Sequence, residues 1–338
     1  DREVYSTDGI QIKGNTNLVV WPTTIKHIHQ IILYARRNEK NIVIRGAGTG
    51  LVGASVPNNS IVLDLTKMDK IISIKKNSIV VEPGVVVGEL NSKLDKKFFP
   101  IVPENANVAT IGGMCGINAM GGYSRAFGRM KDWVEEVEMI DGNGKLKRYG
   151  DEVIGKEGLL GVITKVKLKL ADRFSERTAD VFKFSKIEDL MNKVSQLKFN
   201  RNCVSIEFIS VSAALLSGLE GRHHLIVEYN NLEGEIKDDQ EIIRVLNIRD
   251  SIFKSLASKG FVYRDDPLLP LENIAELIIF LEKKGVPSYG PIGYGVIYPC
   301  LDNRDDFGEM YNLIQDLGGS IGDVFGFGIL KKSFISES

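Results

Sequence analysis

The chain has 338 residues, enough to bury two separate cores, with a third small lobe left open. Its formal net charge is -1, and Lys, Arg, Asp and Glu are interspersed without a basic stripe, which argues against nucleic acid and for a small-molecule partner. Cys115, Cys203 and Cys300 stand far apart without C-x-x-C spacing, which argues against a zinc or iron–sulfur site and a disulfide framework and fits a reducing cytoplasm.

No run reaches the apolar length needed to cross a bilayer, and Asp1-Arg2-Glu3 does not read as a signal peptide; a start without methionine is consistent with a trimmed sequence. A strand over Asn17 to Trp21 comes first. Pro22-Thr23-Thr24 then opens a helix over 25–40, with Ile25, Ile28, Ile32 and Ala35 on one face. His27 and His29 are two residues apart on that helix, face different directions and read as solvated, not as a metal pair. The helix returns the chain to Ile42-Val43-Ile44, a β-α-β unit in which the two strands pair in parallel by default.

That strand breaks into Arg45-Gly46-Ala47-Gly48-Thr49-Gly50-Leu51-Val52-Gly53. Glycines let a ligand press against the backbone, so several amides become available at one place, which suits an anion. Gly48-x-Gly50-x-x-Gly53 also fits the dinucleotide fingerprint, but that motif needs a helix to begin within the glycines. Here the turn-rich Ala54-Ser55-Val56-Pro57-Asn58-Asn59-Ser60 follows, and then the strand-like Ile61 to Leu65. The unit is strand, loop, strand, and loop amides would hold a phosphate without a helix dipole. The plainer alternative is a glycine-rich turn between two strands.

Strands over Ile61 to Leu65, Ile71 to Ile74 and Ser78 to Glu82 follow, then Pro83-Gly84 and a helix carrying Val87, Leu90 and Leu94. A second glycine cluster runs from Thr110 to Gly122, preceded by Pro100 and Pro103. So many glycines make a plain core helix a poor account of the segment and close approach to a ligand a better one. Trp133 to Ile140 resumes a strand, Asp141-Gly142-Asn143-Gly144 signals a hairpin, and Lys145 to Tyr149 returns. A third cluster, Gly155 to Thr164, runs into Lys165-Val166-Lys167-Leu168-Lys169-Leu170, whose period of two marks a strand with one buried face. Three glycine loops each abut a strand, and one elongated ligand touching all three is a simpler account than three unrelated turns.

These segments resemble the FAD-binding domain of the vanillyl-alcohol oxidase superfamily, in the branch of glycolate oxidase and the D-lactate or D-2-hydroxyglutarate dehydrogenases. Residues 45–53 look like its pyrophosphate loop. Thr110-Ile111-Gly112-Gly113 with Asn118-Ala119, Gly128 and Asp132 look like its second flavin segment, and Glu157-Gly158-Leu159-Leu160-Gly161-Val162-Ile163-Thr164 looks like its E-G-T-L-G-I-I-T strand entry. The resemblance implies an α+β fold: a PCMH-type FAD-binding domain over 1–172, with subdomains of about 1–55 and 56–172, a short ferredoxin-like cap over 173–300, and a segment 301–338 returning toward the flavin domain. It implies that Gly46, Ala47, Gly48, Thr49 and Gly50 hold the diphosphate, that Thr110, Ile111, Gly112, Gly113 and Asn118 line the isoalloxazine and its linker, and that Val162 and Ile163 meet the adenine end by backbone. Arg45, Leu51, Gly53, Pro103, Gly121, Glu157, Gly158 and Gly161 complete the implied cofactor set. Relatives with covalent flavin carry a histidine in the first loop, and none stands here, so the expected FAD is non-covalent.

The second half alternates a strand over Ala179 to Phe184, a helix over Ile187 to Phe199, strands over Val204 to Ile209 and His224 to Tyr229, and helices over Glu235 to Leu246, Ser251 to Ser258 and Leu271 to Lys284. This suits an antiparallel sheet covered by helices on one face. Residues 289–299 look like the family's G-H-x-G-D-G-N-x-H segment and 318–328 like its G-G-T-I-S-G-E-H-G-I-G segment. Where the family has two metal-binding histidines this chain has Pro291 and Tyr298, and where it has Glu and the base histidine it has Val324 and Phe325. Proline, valine and phenylalanine cannot ligate a metal or take a proton, so no metal is expected. Tyr298, Tyr294 and Asp323 keep hydrogen-bonding capacity and are the catalytic candidates, although a packed tyrosine is the plainer account of Tyr298. His223 and His224, neighbours on a strand, read as surface residues. For a substrate carboxylate the sequence singles out no arginine: Arg125 lies closest to a flavin segment and Arg222 and Arg264 fall in the cap, and a surface residue is the plainer account of each.

The family implies an FAD-dependent oxidation of a 2-hydroxy acid resembling D-lactate or glycolate, with electrons passed to an acceptor other than NAD. The alternative is a non-catalytic or electron-passing FAD subunit of a larger complex, which the lost histidines and the missing terminal N-P-G tail favour weakly. A homo-oligomer and a partner electron-transfer subunit both stay open.

Overall fold

A computed structural model describes residues 2–9, 12–303, 307–322 and 324–332. The chain divides into two compact units: Asp1–Gly121 with Gly128–Arg173 and Phe325–Ser338, and Gly122–Phe127 with Phe174–Val324.

In the first unit, β1 (Asn15–Val20), β2 (Ile42–Arg45) and β3 (Asn58–Asp64) form a parallel sheet in the order β1-β3-β2. The expected direct pairing of β1 with β2 is therefore corrected, because β3 lies between them. Its run from Ser60 to Asp64 is buried throughout, whereas both neighbours are partly exposed, so the most apolar strand takes the centre. A parallel connection needs a crossover of about a dozen residues. Between β2 and β3 the glycine loop and the turn after it supply that length without a helix.

Helix α1 (Ile25–Arg37) begins at Thr24, whose hydroxyl accepts from the His27 amide, a cap of about 1 kcal/mol. Its buried stripe of Ile28, Ile32 and Ala35 follows from the apolar spacing, and Arg36 and Arg37 complement the dipole in the last turn. Ile28 and Ile32 share a core with Leu63 of β3, with Leu65 and Met68, and with Ile140 and Val162 of a second sheet. That sheet is antiparallel and contains β4 (Ile71–Ile74), β5 (Ser78–Val81), β6 (Val134–Asp141), β7 (Leu146–Tyr149) and β8 (Gly161–Lys169), in the order β4-β5-β8-β6-β7. In β8 the buried positions are Val162, Thr164, Val166 and Leu168, as the alternation requires. The lysines between them pair across the sheet, Lys165 with Glu138 at 2.8 Å and Lys167 with Glu135 at 2.5 Å. Helix α2 (Val87–Ser92) and helix α3 (Ile111–Ile117) lie between β5 and β6 in sequence. The second glycine cluster is thus helical over most of its length, against the sequence expectation.

The second unit is built on β9 (Thr178–Phe184), β10 (Cys203–Ile209), β11 (His223–Tyr229), β12 (Tyr263–Arg264), β13 (Ser288–Gly290) and β14 (Tyr298–Leu301), antiparallel in the order β9-β11-β10-β13-β14-β12. Helices α4 (Ile187–Leu197), α6 (Ile274–Lys283) and α7 (Phe307–Asp316) pack on one face around Phe208, Leu225, Leu277 and Ile314. Between them in sequence comes α5 (Asp239–Ala257), one helix where two were expected, since Asn247 to Asp250 holds no breaker. It covers the opposite face, bringing Arg249 to Glu207 and Glu228, so the expectation of a single helical face is also corrected. The chain rejoins the first unit at Phe325.

Candidate functional site

The glycine loop leaves β2 at Arg45. Among the described residues, the amides of Gly46, Ala47, Gly48, Thr49 and Gly50 donate to no protein acceptor, and the loop is partly exposed. Unpaired amides facing solvent in a row form an anion-binding surface. The loop is pinned at its flanks: the Gly9 amide donates to the Gly50 carbonyl at 2.8 Å, and Asp8 accepts from the Gly53 amide at 2.8 Å. Arg45 is buried, and its guanidinium donates to the carbonyls of Thr7 and Val4 at 2.7 and 3.1 Å. Burial lowers its pKa, against the pull of Asp64, Tyr5 and Asp8. Gly48, at φ +72°, passes so close that a Cβ would fall 2.1 Å from this guanidinium. Arg45 therefore acts as the footing of the loop, with both terminal nitrogens of its guanidinium engaged by the N-terminal segment.

Gly46 packs on Thr110; a Cβ there would come within 2.3 Å of the Thr110 hydroxyl oxygen. Thr110 caps α3 by accepting from the Gly113 amide, and this cap offsets the poor helix propensity of a segment with three glycines. Gly112 lies against Pro83, Ile111 is fully buried, Leu51 is half-buried and Gly113 is exposed. Asn118 ends the helix at φ 51°, its side chain accepting from the Lys131 amide. The third cluster then joins α3: the amides of Gly155 and Glu157 donate to the carbonyls of Cys115 and Gly116 at 2.9 and 2.8 Å. Gly158 approaches Ile44 of β2, which closes the circuit. The three glycine segments thus meet within one unit.

Of the remaining expected residues, Gly161 lies at the start of β8 against Ile140, the Val162 side chain is in the core, and Ile163 is half-buried, which leaves backbone as the available surface of Val162. Pro103 is half-buried with its carbonyl accepting from Ala106, and Gly121 packs on the Val102 backbone. Asn105, which the sequence did not single out, donates to the Thr49 hydroxyl at 3.1 Å. Glu157 has both carboxylate oxygens engaged by the amides of Phe327 and Gly328. Asp8 carried no local sequence signal; the segment 318–328 was singled out by its resemblance, but its bonds to Glu157 and to the loop were not foreseen, since they are long-range and made by backbone amides.

In the second unit Tyr298 is buried and packs edge-on against Tyr289 at 5.4 Å between ring centroids. The guanidinium of Arg264 lies 5.1 Å from the Tyr298 ring and 4.6 Å from that of Phe253, and it donates to the Tyr289 hydroxyl. Tyr294 is half-buried in a short turn over Ile292–Tyr294, and Asp323 lies outside the described residues. Pro291 and Val324 are buried, and the Val324 amide donates to Asp266 at 2.6 Å. Arg125 is removed from the carboxylate candidates: its guanidinium donates to the carbonyls of Cys203, Leu197, Lys198 and Asn200. Arg222 is an exposed partner of Glu220. His223 and His224 are buried, not surface residues, because both faces of β11 are covered; His223 stacks on Phe208 beside Glu282, and His224 bonds the Glu220 carbonyl. Three free cysteines are buried, and burial pushes the Cys115 thiol well above its ordinary range.

A strand–loop–strand cradle with free amides, closed by two further glycine segments, defines a class of protein that binds an elongated anionic ligand. Residues 16–150 match the family model described as FAD binding domain. The chain is similar to a D-lactate dehydrogenase of Archaeoglobus fulgidus, 26% identical over 95% of this chain and 85% of the relative. It is similar to glycolate oxidase subunit GlcD of Bacillus subtilis, 23% identical over 99% of this chain and 86% of the relative, and to a mitochondrial D-2-hydroxyglutarate dehydrogenase of Arabidopsis thaliana, 24% identical over 99% and 72%. Among solved structures, alkyldihydroxyacetonephosphate synthase matches with a TM-score of 0.71 at 16% identity, covering 92% of this chain and 73% of that one. Residues 16–150 thus carry an FAD-binding domain, and the cofactor is FAD; along most of its length the chain is similar to D-lactate dehydrogenase and glycolate oxidase. Among the described residues no helix is long and apolar enough to cross a membrane.

Proposed function

We propose that the protein is an FAD-dependent oxidoreductase that oxidises a 2-hydroxy acid, with D-lactate and glycolate as the models, and that passes the electrons to an acceptor other than NAD. The observation that carries this reading is the meeting of the three glycine segments around a loop whose amides have no acceptor among the described residues. The relatives' names support an enzyme over a subunit that only relays electrons. When bound, FAD supplies a two-electron acceptor.

The chain's own part begins with binding. Amides of residues 46–50 would hold a bound diphosphate and offset its charge, with the buried Arg45 beneath them as a fixed positive charge. The first unit serves as the flavin domain and the second as the substrate domain. Oxidising a hydroxy acid removes the hydroxyl proton and the hydrogen on its carbon, so a proton acceptor and a cation for the carboxylate are needed. Tyr298, stacked beside the Arg264 guanidinium, is the proposed proton-handling group, with Tyr294 and Asp323 as the other candidates. No histidine holds the FAD covalently in the first loop, and the cofactor dissociates. The buried, free cysteines support a reducing compartment.

The test is anaerobic mixing of the flavin-loaded protein with D-lactate, glycolate, D-2-hydroxyglutarate and glycerol phosphates while flavin absorbance is followed. Bleaching by a 2-hydroxy acid is expected. A flavin that stays oxidised against every member of the panel would favour the electron-relay subunit.

A further inference from the structure

Glu157 stands where the end of α3 meets the segment 327–330. Its amide is bonded to Gly116 at the end of α3, its φ is 48°, and its two carboxylate oxygens accept separately from Phe327 at 2.6 Å and Gly328 at 3.0 Å. From there the segment continues onto the glycine loop, where the amides of Ile329 and Leu330 both donate to the Val52 carbonyl, at 2.8 and 3.3 Å. Val52 lies two residues beyond Gly50. The segment passes so close that a Cβ on Gly328 would meet the Val52 carbonyl oxygen at 2.1 Å. A left-handed φ at a non-glycine residue persists only where its surroundings over-determine it, and these bonds do so.

We infer that Glu157 is a positioning residue for the dinucleotide site: its carboxylate locks residues 327–330 across the loop, and this strap sets how long the cofactor stays bound. The inference rests on reading residues 46–50 as the diphosphate loop. Charge supports the indirect role, since a carboxylate repels the diphosphate that the loop amides attract. Both oxygens are also already engaged by backbone amides. With the strap in place Val52 is pinned by Ile329 and Leu330, as Gly50 and Gly53 are by Gly9 and Asp8, so the C-terminal end of the loop is fixed and its free amides stay aimed before any ligand arrives. Pre-organisation of this kind slows release without adding a contact to the ligand.

The experiment uses the full chain loaded with FAD and follows the recovery of free-flavin fluorescence after dilution. The variants are Glu157→Gln, Gly328→Val and the double variant. In Glu157→Gln the amide nitrogen cannot accept, so one strap amide loses its partner. Each single variant is expected to release FAD about tenfold faster or more, as the loss of a charge-assisted bond implies. The double variant should release no faster than Gly328→Val alone. Limited proteolysis should cut at 326–331 sooner in both single variants, with residues 174–324 as resistant as before. An unchanged release rate in Glu157→Gln overturns the inference. So does a Glu157→Gln effect of the same size with and without Gly328→Val, which would make Glu157 a direct ligand. If Gly328→Val does not fold, Glu157→Gln decides through its release rate and cleavage together. A wild-type chain that takes up no FAD overturns the loop assignment itself, whereas a loaded wild type with indifferent variants overturns only the strap.

Discussion

Tyr298 carries the catalytic part of the account, and its surroundings decide what it can do. Its ring is buried, held edge-on by Tyr289 and approached by the Arg264 guanidinium at 5.1 Å. Cations are drawn to aromatic faces, and this one also reaches the Tyr289 hydroxyl, so the two phenols and the guanidinium form one polar group in an otherwise packed sheet. Phenylalanine at 298 keeps the edge-on packing and removes only the hydroxyl. If that hydroxyl handles the substrate proton, Tyr298→Phe should lower turnover by about a hundredfold or more, the usual size of an acid–base contribution. Flavin content should be unchanged. Turnover within twofold of wild type, measured on fully loaded protein, would return Tyr298 to a packing role.

Glu138 of β6 shows how an element ties its own stability to pH. Its carboxylate is buried in the sheet, where it accepts from Thr164 and pairs with Lys165 of β8. Burial pushes its pKa up, but Lys165 and Thr164 together outweigh that and hold the carboxyl below its ordinary range. A carboxyl depressed in the folded state adds stability that is complete above the unfolded value of about 4.3 and is lost as pH falls through the folded value. Denaturant midpoints of the first unit should therefore fall between about pH 6 and about pH 3, and less steeply in Glu138→Gln. Equal slopes for the two proteins would remove Glu138 from the account. The same β8 shows what the sequence makes legible: Val162, Val166 and Leu168 alternate with lysines, and the structure buries those positions. Helix α1 was equally plain from Ile28, Ile32 and Ala35. By contrast α3 could not be read, because three glycines argue locally against a helix, and the Thr110 cap, the bonds of Ile111 and Gly112 to the Val85 and Pro83 carbonyls and the bonds to residues 155–157 sustain it. The insertion of β3 between β1 and β2, the burial of His223 and His224, and the diversion of Arg125 to four backbone carbonyls also depend on partners far away in sequence.

On the scale of the molecule there are two units: one gathers the glycine segments and the other carries Tyr289, Tyr294 and Tyr298. The glycine loop was legible because its composition is costly without a ligand. The return of the 301–338 segment toward this unit was expected from the resemblance, but the particular clamps from Asp8 and residues 327–330 were not legible, because they depend on partners far away in sequence. The account stands on the loop amides of residues 46–50 holding a dinucleotide. Its most direct measurement is equilibrium uptake of FAD by the purified, flavin-stripped chain, beside a Gly48→Val variant in which a branched side chain must enter the space of the Arg45 guanidinium. The account predicts a yellow, saturable complex with the wild type, and with Gly48→Val a chain that retains its second unit but holds no flavin. A wild-type chain that stays colourless at saturating FAD, or a Gly48→Val variant that binds it as tightly, would contradict the claim.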